Sequence, residues 1–248
     1  MADLFDVKIH PMLAVLQEEP FDSEDHIFEL KWDGTRALGF VSPDGTVRFQ
    51  NRRLYDITYR YPEIHPDVGG HKAILDGEIV VMREGRPSFM GLQDREHASS
   101  KFTIHLRSKE SPATYVVFDI LYLDGKELVT LPLMERKGIL RDTVTTSDRV
   151  TLSDYIEREG VAYYRAVLDR GLEGIIVKRK ASRYAIGRRT KEGSVWTRSD
   201  PSSSGCTTAR RCGTSAAWGR GSTTTCGRSS SRGARRCART ACSPPSPT

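Results

Sequence analysis

Cysteine is absent from the first 205 residues, and all five cysteines (Cys206, Cys212, Cys226, Cys237, Cys242) fall beyond Gly205. Their spacings fit neither a paired C-x-x-C zinc site nor an even-numbered disulfide framework, which argues against a metal- or disulfide-stapled fold. No apolar run approaches the length needed to cross a bilayer. The opening Met1-Ala2-Asp3-Leu4-Phe5-Asp6 lacks the basic and apolar regions of a signal peptide, so a cytoplasmic protein is expected. There is no internal repeat. What is present, 38% hydrophobic and 28% charged residues over 248 positions, describes a chain able to bury a substantial core.

A second absence is local. From Thr197 onward there is no Leu, Ile, Val, Phe, Tyr, Met, Lys or Glu. Such a segment buries too little apolar surface to offset the entropy of ordering, so a disordered tail is expected. Nine Arg against one Asp give it a charge of +8, which leaves −2 for the first 196 residues. The basic pI of 9.1 therefore carries no argument for nucleic-acid binding. Two origins for the tail remain open: a natural basic extension, or a shifted reading frame, which its GC-rich-codon residues favour.

Up to Glu192 the sequence has the pattern of a folded domain. Ile27–Lys31 and Ala73–Val81 are short, β-branched and aromatic, and Tyr115–Leu123 is a nearly continuous apolar run expected to form a buried strand. Asp33-Gly34, Pro43-Asp44-Gly45, Asp76-Gly77 and Asp124-Gly125 read as turns. One helix is expected over Ser153–Leu168, with Val161, Tyr164 and Leu168 on one face, and a second near Leu131, carrying Leu133, Met134 and Leu140. Several turn-linked strands with a few helices predict an α+β fold with antiparallel sheets.

The strongest chemical signal is Lys31-Trp32-Asp33-Gly34-Thr35-Arg36 at the end of an apolar strand. A lysine so placed can attack phosphorus if the site removes its proton. Gly34 would let the backbone pass close to phosphates, and Arg36 presents a planar fork to phosphate or ribose oxygens. The plain alternative is an Asp-Gly hairpin flanked by solvated charges. Leu75-Asp76-Gly77-Glu78-Ile79-Val80 has the same alternative, and Phe118 in its apolar strand reads equally well as core.

Taken in order, these motifs resemble the covalent nucleotidyltransferase superfamily, and most of all ATP-dependent DNA ligases of the compact bacterial and archaeal end-joining type. The resemblance spans roughly Pro11 to Glu192. Pro11-Met12-Leu13-Ala14 resembles the entry segment. By the resemblance Lys31 is the adenylylated lysine and Glu29 lies beside the adenine. Asn51-Arg52-Arg53 is similar to a Ser-Arg-x element, with Asn in place of Ser, and makes Arg52 a nucleotide-site residue. Glu78 would hold the ribose hydroxyls and help position a metal, and Phe118 would stack on the adenine. In Glu173-Gly174-Ile175-Ile176-Val177-Lys178, Glu173 would bind a divalent ion and Lys178 would face the α-phosphate, although residues five apart on a strand face opposite sides unless a bulge or strand end re-aims one. Arg189 matches an arginine near the nucleotide.

The resemblance implies an ATP-grasp-like α+β nucleotidyltransferase domain of antiparallel sheets flanked by helices over residues 1–192. It also implies ATP with Mg2+ or Mn2+ as cofactors, and a monomer acting on nicked double-stranded DNA, away from membranes, with repair proteins as partners in a cytoplasmic, nucleoid-associated setting. The departure follows Glu192. A Trp and a Lys-x-Lys pair are expected there, but Val195 stands at the first lysine position. Residues 193–248 replace the last motif and the oligonucleotide-binding domain. Activity is therefore expected to be impaired. An RNA ligase or capping guanylyltransferase shares the lysine motif, and a catalytically silent nucleotide- or DNA-binding remnant is the alternative from another class.

Overall fold

The structure is a computed structural model that describes residues 3–17 and 19–197. Strand alternation organises it into two sheets. One has, in spatial order, β1 (Leu13–Leu16), β12 (Arg189–Thr197), β11 (Gly174–Arg179), β2 (Ser23–Leu30) and β10 (Tyr155–Arg158). The other has β4 (Val47–Asn51), β3 (Thr35–Val41), β5 (Ala73–Arg83), β7 (Ala113–Leu123) and β8 (Lys126–Glu127). The short β6 (Arg86–Pro87) lies beside β5, and β9 (Val150–Leu152) beside β7. Most neighbours are antiparallel, as expected, but β1–β12 and β7–β9 are parallel, so both sheets are mixed. Four helices flank them: α1 (Phe89–Glu96), α2 (Lys101–Glu110), α3 (Leu133–Thr143) and α4 (Gly160–Asp169). Among the described residues no helix is long and apolar enough to cross a membrane.

Each sheet uses its two faces differently, because successive side chains on a strand point to opposite sides. On the second sheet Ala37, Val41, Ala73, Leu75, Ile79, Tyr115 and Val117 enter the main core, which α1 and α3 help close. Leu38, Phe40, Ile74 and Leu121 point the other way, into a smaller cluster with Ile9 and Tyr184. On the first sheet Phe28, Ile175, Val177 and Trp196 pack with Tyr163, Tyr164 and Val167 of α4.

Three sequence expectations change. The helix expected from Ser153 begins at Gly160, because Tyr155–Arg158 pairs with β2 as an edge strand. Its buried residues are Gly160 and Val167, with Tyr163 and Tyr164 packed beside them; of the expected Val161, Tyr164 and Leu168, Tyr164 joins that face. Asp76-Gly77 is no turn: both residues lie inside β5, hydrogen-bonded between β3 and β7 with an irregular register against β7. Finally, Glu192 does not end the ordered chain, since β12 continues through Thr197 and buries Trp196. Of the disordered tail expected from Thr197, Thr197 itself ends β12, and the rest, with the cysteines, lies outside the described residues.

Candidate active site

Lys31 stands where the chain passes from one sheet to the other. The strands on either side of Asp33-Gly34, β2 and β3, belong to different sheets, so the hairpin alternative falls. The Lys31 N–H donates to the Gly174 carbonyl at 2.9 Å, fixing the segment to the start of β11. Gly34 presses on β5: a Cβ there would overlap the Ile79 carbonyl oxygen and meet Glu78 Cγ and Val80 Cγ1 at 2.8 Å. Its small size is thus demanded by β5, where the sequence suggested a neighbouring phosphate.

Lys31 Nζ forms an ion pair with Glu173. Glu173 immediately precedes β11, and Gly174 has φ 154° with its Cα position packed against the Trp196 carbonyl. The strand end therefore re-aims Glu173, while Lys178 obeys the strand alternation. This is how two residues five apart reach one site.

The second sheet contributes Arg36, Asp76, Glu78 and Phe118. Arg36 grips Asp76 with Nε and Nη2, both at 2.6 Å. Tyr184 Oη donates to the same carboxylate at 2.6 Å and accepts the Met12 N–H at 3.0 Å, tying the entry segment to the sheet. Two of the Arg36 nitrogens are therefore committed to Asp76. The Phe118 ring has the Arg36 guanidinium and Lys178 Nζ each 4.4 Å from its centroid. Burial pushes the Glu78 carboxyl up to about 7; Arg36 and Lys31 pull it down, and Asp76 and Glu173 push it further up.

The first sheet contributes Glu29, Lys178 and Val195. Glu29 is buried, with Lys178 Nζ at 2.9 Å from one oxygen and Lys137 Nζ at 2.7 Å from the other. Burial pushes its carboxyl up, but the two lysines prevail and hold it below the ordinary value. Burial likewise lowers Lys178, against the pull of Glu29. Lys137 escaped the sequence reading. Its signal was available: Leu133, Arg136, Lys137 and Leu140 occupy the i, i+3, i+4, i+7 stripe of α3, and all four are buried. Arg136 on that stripe pairs with Asp119 at 2.8 and 2.9 Å.

Together these walls enclose a cavity of about 310 Å³. It is lined by Glu29, Lys31, Arg36, Arg52, Glu78, Phe118, Lys178 and Arg189, eight of the nine residues singled out from sequence. Glu173 reaches it through Lys31. Arg52 is exposed in the turn after β4, where Asn51 Oδ1 accepts the N–H groups of Arg53 and Tyr55 at 2.9 and 3.0 Å. Arg189 donates to the Ala14 carbonyl. Val195 faces the cavity, whereas Trp196, one residue on, packs against Phe21 and Phe28. Among the described residues no cluster of three or more His, Cys, Asp or Glu could hold a metal; Glu78 is acted on electrostatically by both Lys31 and Glu173.

A two-sheet fold with a lysine at the inter-sheet crossing, facing a cavity lined by an aromatic ring, carboxylates and a larger number of cations, fits a nucleotidyltransferase type of domain. Residues 11–197 match the family described as ATP dependent DNA ligase domain, and the chain belongs to that family. It is 32% identical over 184 residues to the SPbeta prophage-derived DNA ligase-like protein LigB of Bacillus subtilis, covering 73% of this chain and 64% of that one. It is 34% identical over 167 residues to the multifunctional non-homologous end joining DNA repair protein LigD of Mycobacterium tuberculosis, covering 65% of this chain and 20% of that one. The fold is similar to that of a mycobacterial DNA ligase D solved with ATP and MES, at 29% identity and a TM-score of 0.65, over 77% of this chain and 60% of that one. The chain thus spans from a fifth to just under two thirds of the length of these curated relatives.

Proposed function

We propose that the domain carries out the nucleotidyl-transfer chemistry of an ATP-dependent DNA ligase. The observation that carries this reading is the position of Lys31, projecting from the inter-sheet crossing into a cavity lined by Phe118, Glu29, Glu78 and Lys178. Lys31 Nζ, freed from Glu173 and deprotonated, attacks the α-phosphorus of ATP. A P–N bond forms and the bond to pyrophosphate breaks. The AMP then passes to the 5′-phosphate at a nick in duplex DNA, and the 3′-hydroxyl displaces AMP to seal the strand.

The side chains divide the work. Phe118 offers a face to the adenine and Glu29 a charged acceptor at its edge. Arg36, Arg52, Arg189 and Lys178 supply positive charge for phosphate and ribose oxygens, which counts most as charge builds at phosphorus. Glu78 and Glu173 would hold magnesium or manganese, since two carboxylates completed by phosphate and water oxygens suit such an ion, and it would offset charge on the phosphates. In this reading the macromolecular substrate is nicked double-stranded DNA, repair proteins are its partners, and a monomer works at the nucleoid in the cytoplasm.

Incubation with α-labelled ATP and magnesium, followed by denaturing electrophoresis, tests the proposal. A covalent label that disappears in Lys31→Ala is expected; GTP labelling in place of ATP would point to capping chemistry. Val195 at the cavity wall favours a second reading, a domain that binds ATP without covalent transfer. Saturable ATP binding with no label would select that one.

A further inference from the structure

One charged residue outside the sequence-derived set is buried against the cavity. Lys137 sits on the inner stripe of α3, its side chain 5% exposed, and meets Glu29 Oε1 at 2.7 Å while Lys178 meets Oε2 at 2.9 Å. Each oxygen of one carboxylate is gripped by its own ammonium group. The Lys137 ammonium also lies 5.6 Å from the Tyr155 ring centroid. Burying a lysine is costly unless it is paired. Packing alone would be served better by another apolar residue beside Leu133 and Leu140, so the pairing with Glu29 asks for a functional reason.

The charged and titratable groups around this centre come from five elements, with Tyr155 on β10 beside Glu29 and Lys137. Lys178 lies on β11, Lys137 on α3 and Tyr163 on α4, with Asp119 of β7 acting on Lys178. Two cations therefore face Glu29 directly. An ionised carboxylate accepts hydrogen bonds and donates none. A purine with an amino group at position 6 offers it an N–H; a purine with an oxo group there offers only a second acceptor.

We infer that Lys137 is a positioning residue for nucleotide specificity: by holding one oxygen of Glu29 it keeps that carboxylate a fixed, acceptor-only partner that selects 6-amino over 6-oxo purine nucleotides. The inference rests on the proposed reading of the cavity as an ATP site. Without Lys137, burial drives Glu29 toward its protonated form, whose O–H donates to a 6-oxo group. A site built to receive an N–H discriminates strongly against a ligand lacking it, and loses that power when its acceptor changes state.

The test is calorimetric titration of the full chain with ATP and with inosine triphosphate at pH 6 and pH 8. The unaltered chain is expected to prefer ATP by the same ratio at both pH values. Lys137→Met should cut that ratio by about tenfold at pH 6, with partial recovery at pH 8, while Lys137→Arg keeps it. If Lys137→Met weakens both nucleotides by one common factor at both pH values, its role is structural and the inference fails. Should that variant not fold, the unaltered chain decides: a preference that falls between pH 8 and pH 6 overturns the inference. Glu29→Leu separates the two levels, because an unchanged ratio in a variant whose side chain neither accepts nor donates removes Glu29 from the base, and with it the ATP-site reading beneath the inference. Binding of neither nucleotide by the unaltered chain has the same consequence.

Discussion

Lys31 and Glu173 meet as an ion pair although one follows β2 at the inter-sheet crossing and the other precedes β11. The Lys31 N–H donates to the carbonyl of Gly174, the next residue after Glu173, so backbone and side chain hold the same junction. Glu173→Gln keeps the shape and removes the charge. Adenylylation should slow by about tenfold or more, whereas Lys31→Ala abolishes it. Single-turnover labelling with ATP gives the comparison, and an unchanged rate for Glu173→Gln would count against a role for this carboxylate.

Val195 faces the cavity from β12 where a cation would serve the α-phosphate. Val195→Lys is expected to raise the adenylylation rate by roughly a hundredfold, by analogy with the loss seen when a charge-stabilising donor is removed. The gain should appear in the rate of label formation far more than in ATP affinity. Equal single-turnover rates for the two chains would falsify this.

Glu78 links the site to pH. Its carboxyl is raised from 4.5 to about 7 in the folded chain, chiefly by burial. Between those values the folded state keeps a proton that the unfolded state has released, so Glu78 makes stability fall as pH rises through that window. Glu78→Gln should remove this slope and leave the protein more stable at pH 8, by on the order of 2 kcal/mol. Urea denaturation at pH 5 and pH 8 measures it; parallel losses for both chains between the two pH values would contradict the assignment.

Tyr184 completes the carboxylate of Asp76 and receives Met12. Tyr184→Phe leaves the buried Asp76 carboxylate and the part-buried Met12 N–H each short of a partner, which should cost about 1–3 kcal/mol. Hydrogen exchange should show the Met12 amide losing protection. Retained protection with unchanged urea stability would show the network to be dispensable.

Most of the residues that line the cavity could be read from the sequence because their motifs sit on or beside strands, where alternation decides which side chains share a wall. Arg36 faces Glu78 across the β3–β5 pair, and Glu29 opposes Ile176 of β11. What was missed has physical causes. Asp76-Gly77 has the composition of a turn, yet Gly77 is there because a Cβ would come within 2.5 Å of Tyr115 and 2.6 Å of the Val116 carbonyl. Tyr155–Arg158 carries no breaker before Gly160, so its pairing with β2 was invisible. The helices α1 and α2 gave no stripe to read: Phe89, Met90 and Phe102 are exposed, and each helix starts from a serine cap, Ser88 on Gly91 N–H at 3.2 Å and Ser100 on Thr103 N–H at 3.0 Å. Lys137 is buried only because its partner Glu29 comes from β2, far away in the chain, so its own segment carries no sign of the pairing.

The strand β12 has two constituencies. Trp196 serves the apolar cluster, with Phe21, Phe28 and Tyr164 around its ring. Val195 looks onto the cavity and makes no comparable claim on the core. Packing and cavity lining thus fall on adjacent residues of one strand that face opposite sides. A melting temperature, a circular dichroism spectrum or a yield of soluble protein is expected to pass a chain altered at Val195, whereas, on the proposed function, an assay that follows phosphorus is expected to register the change.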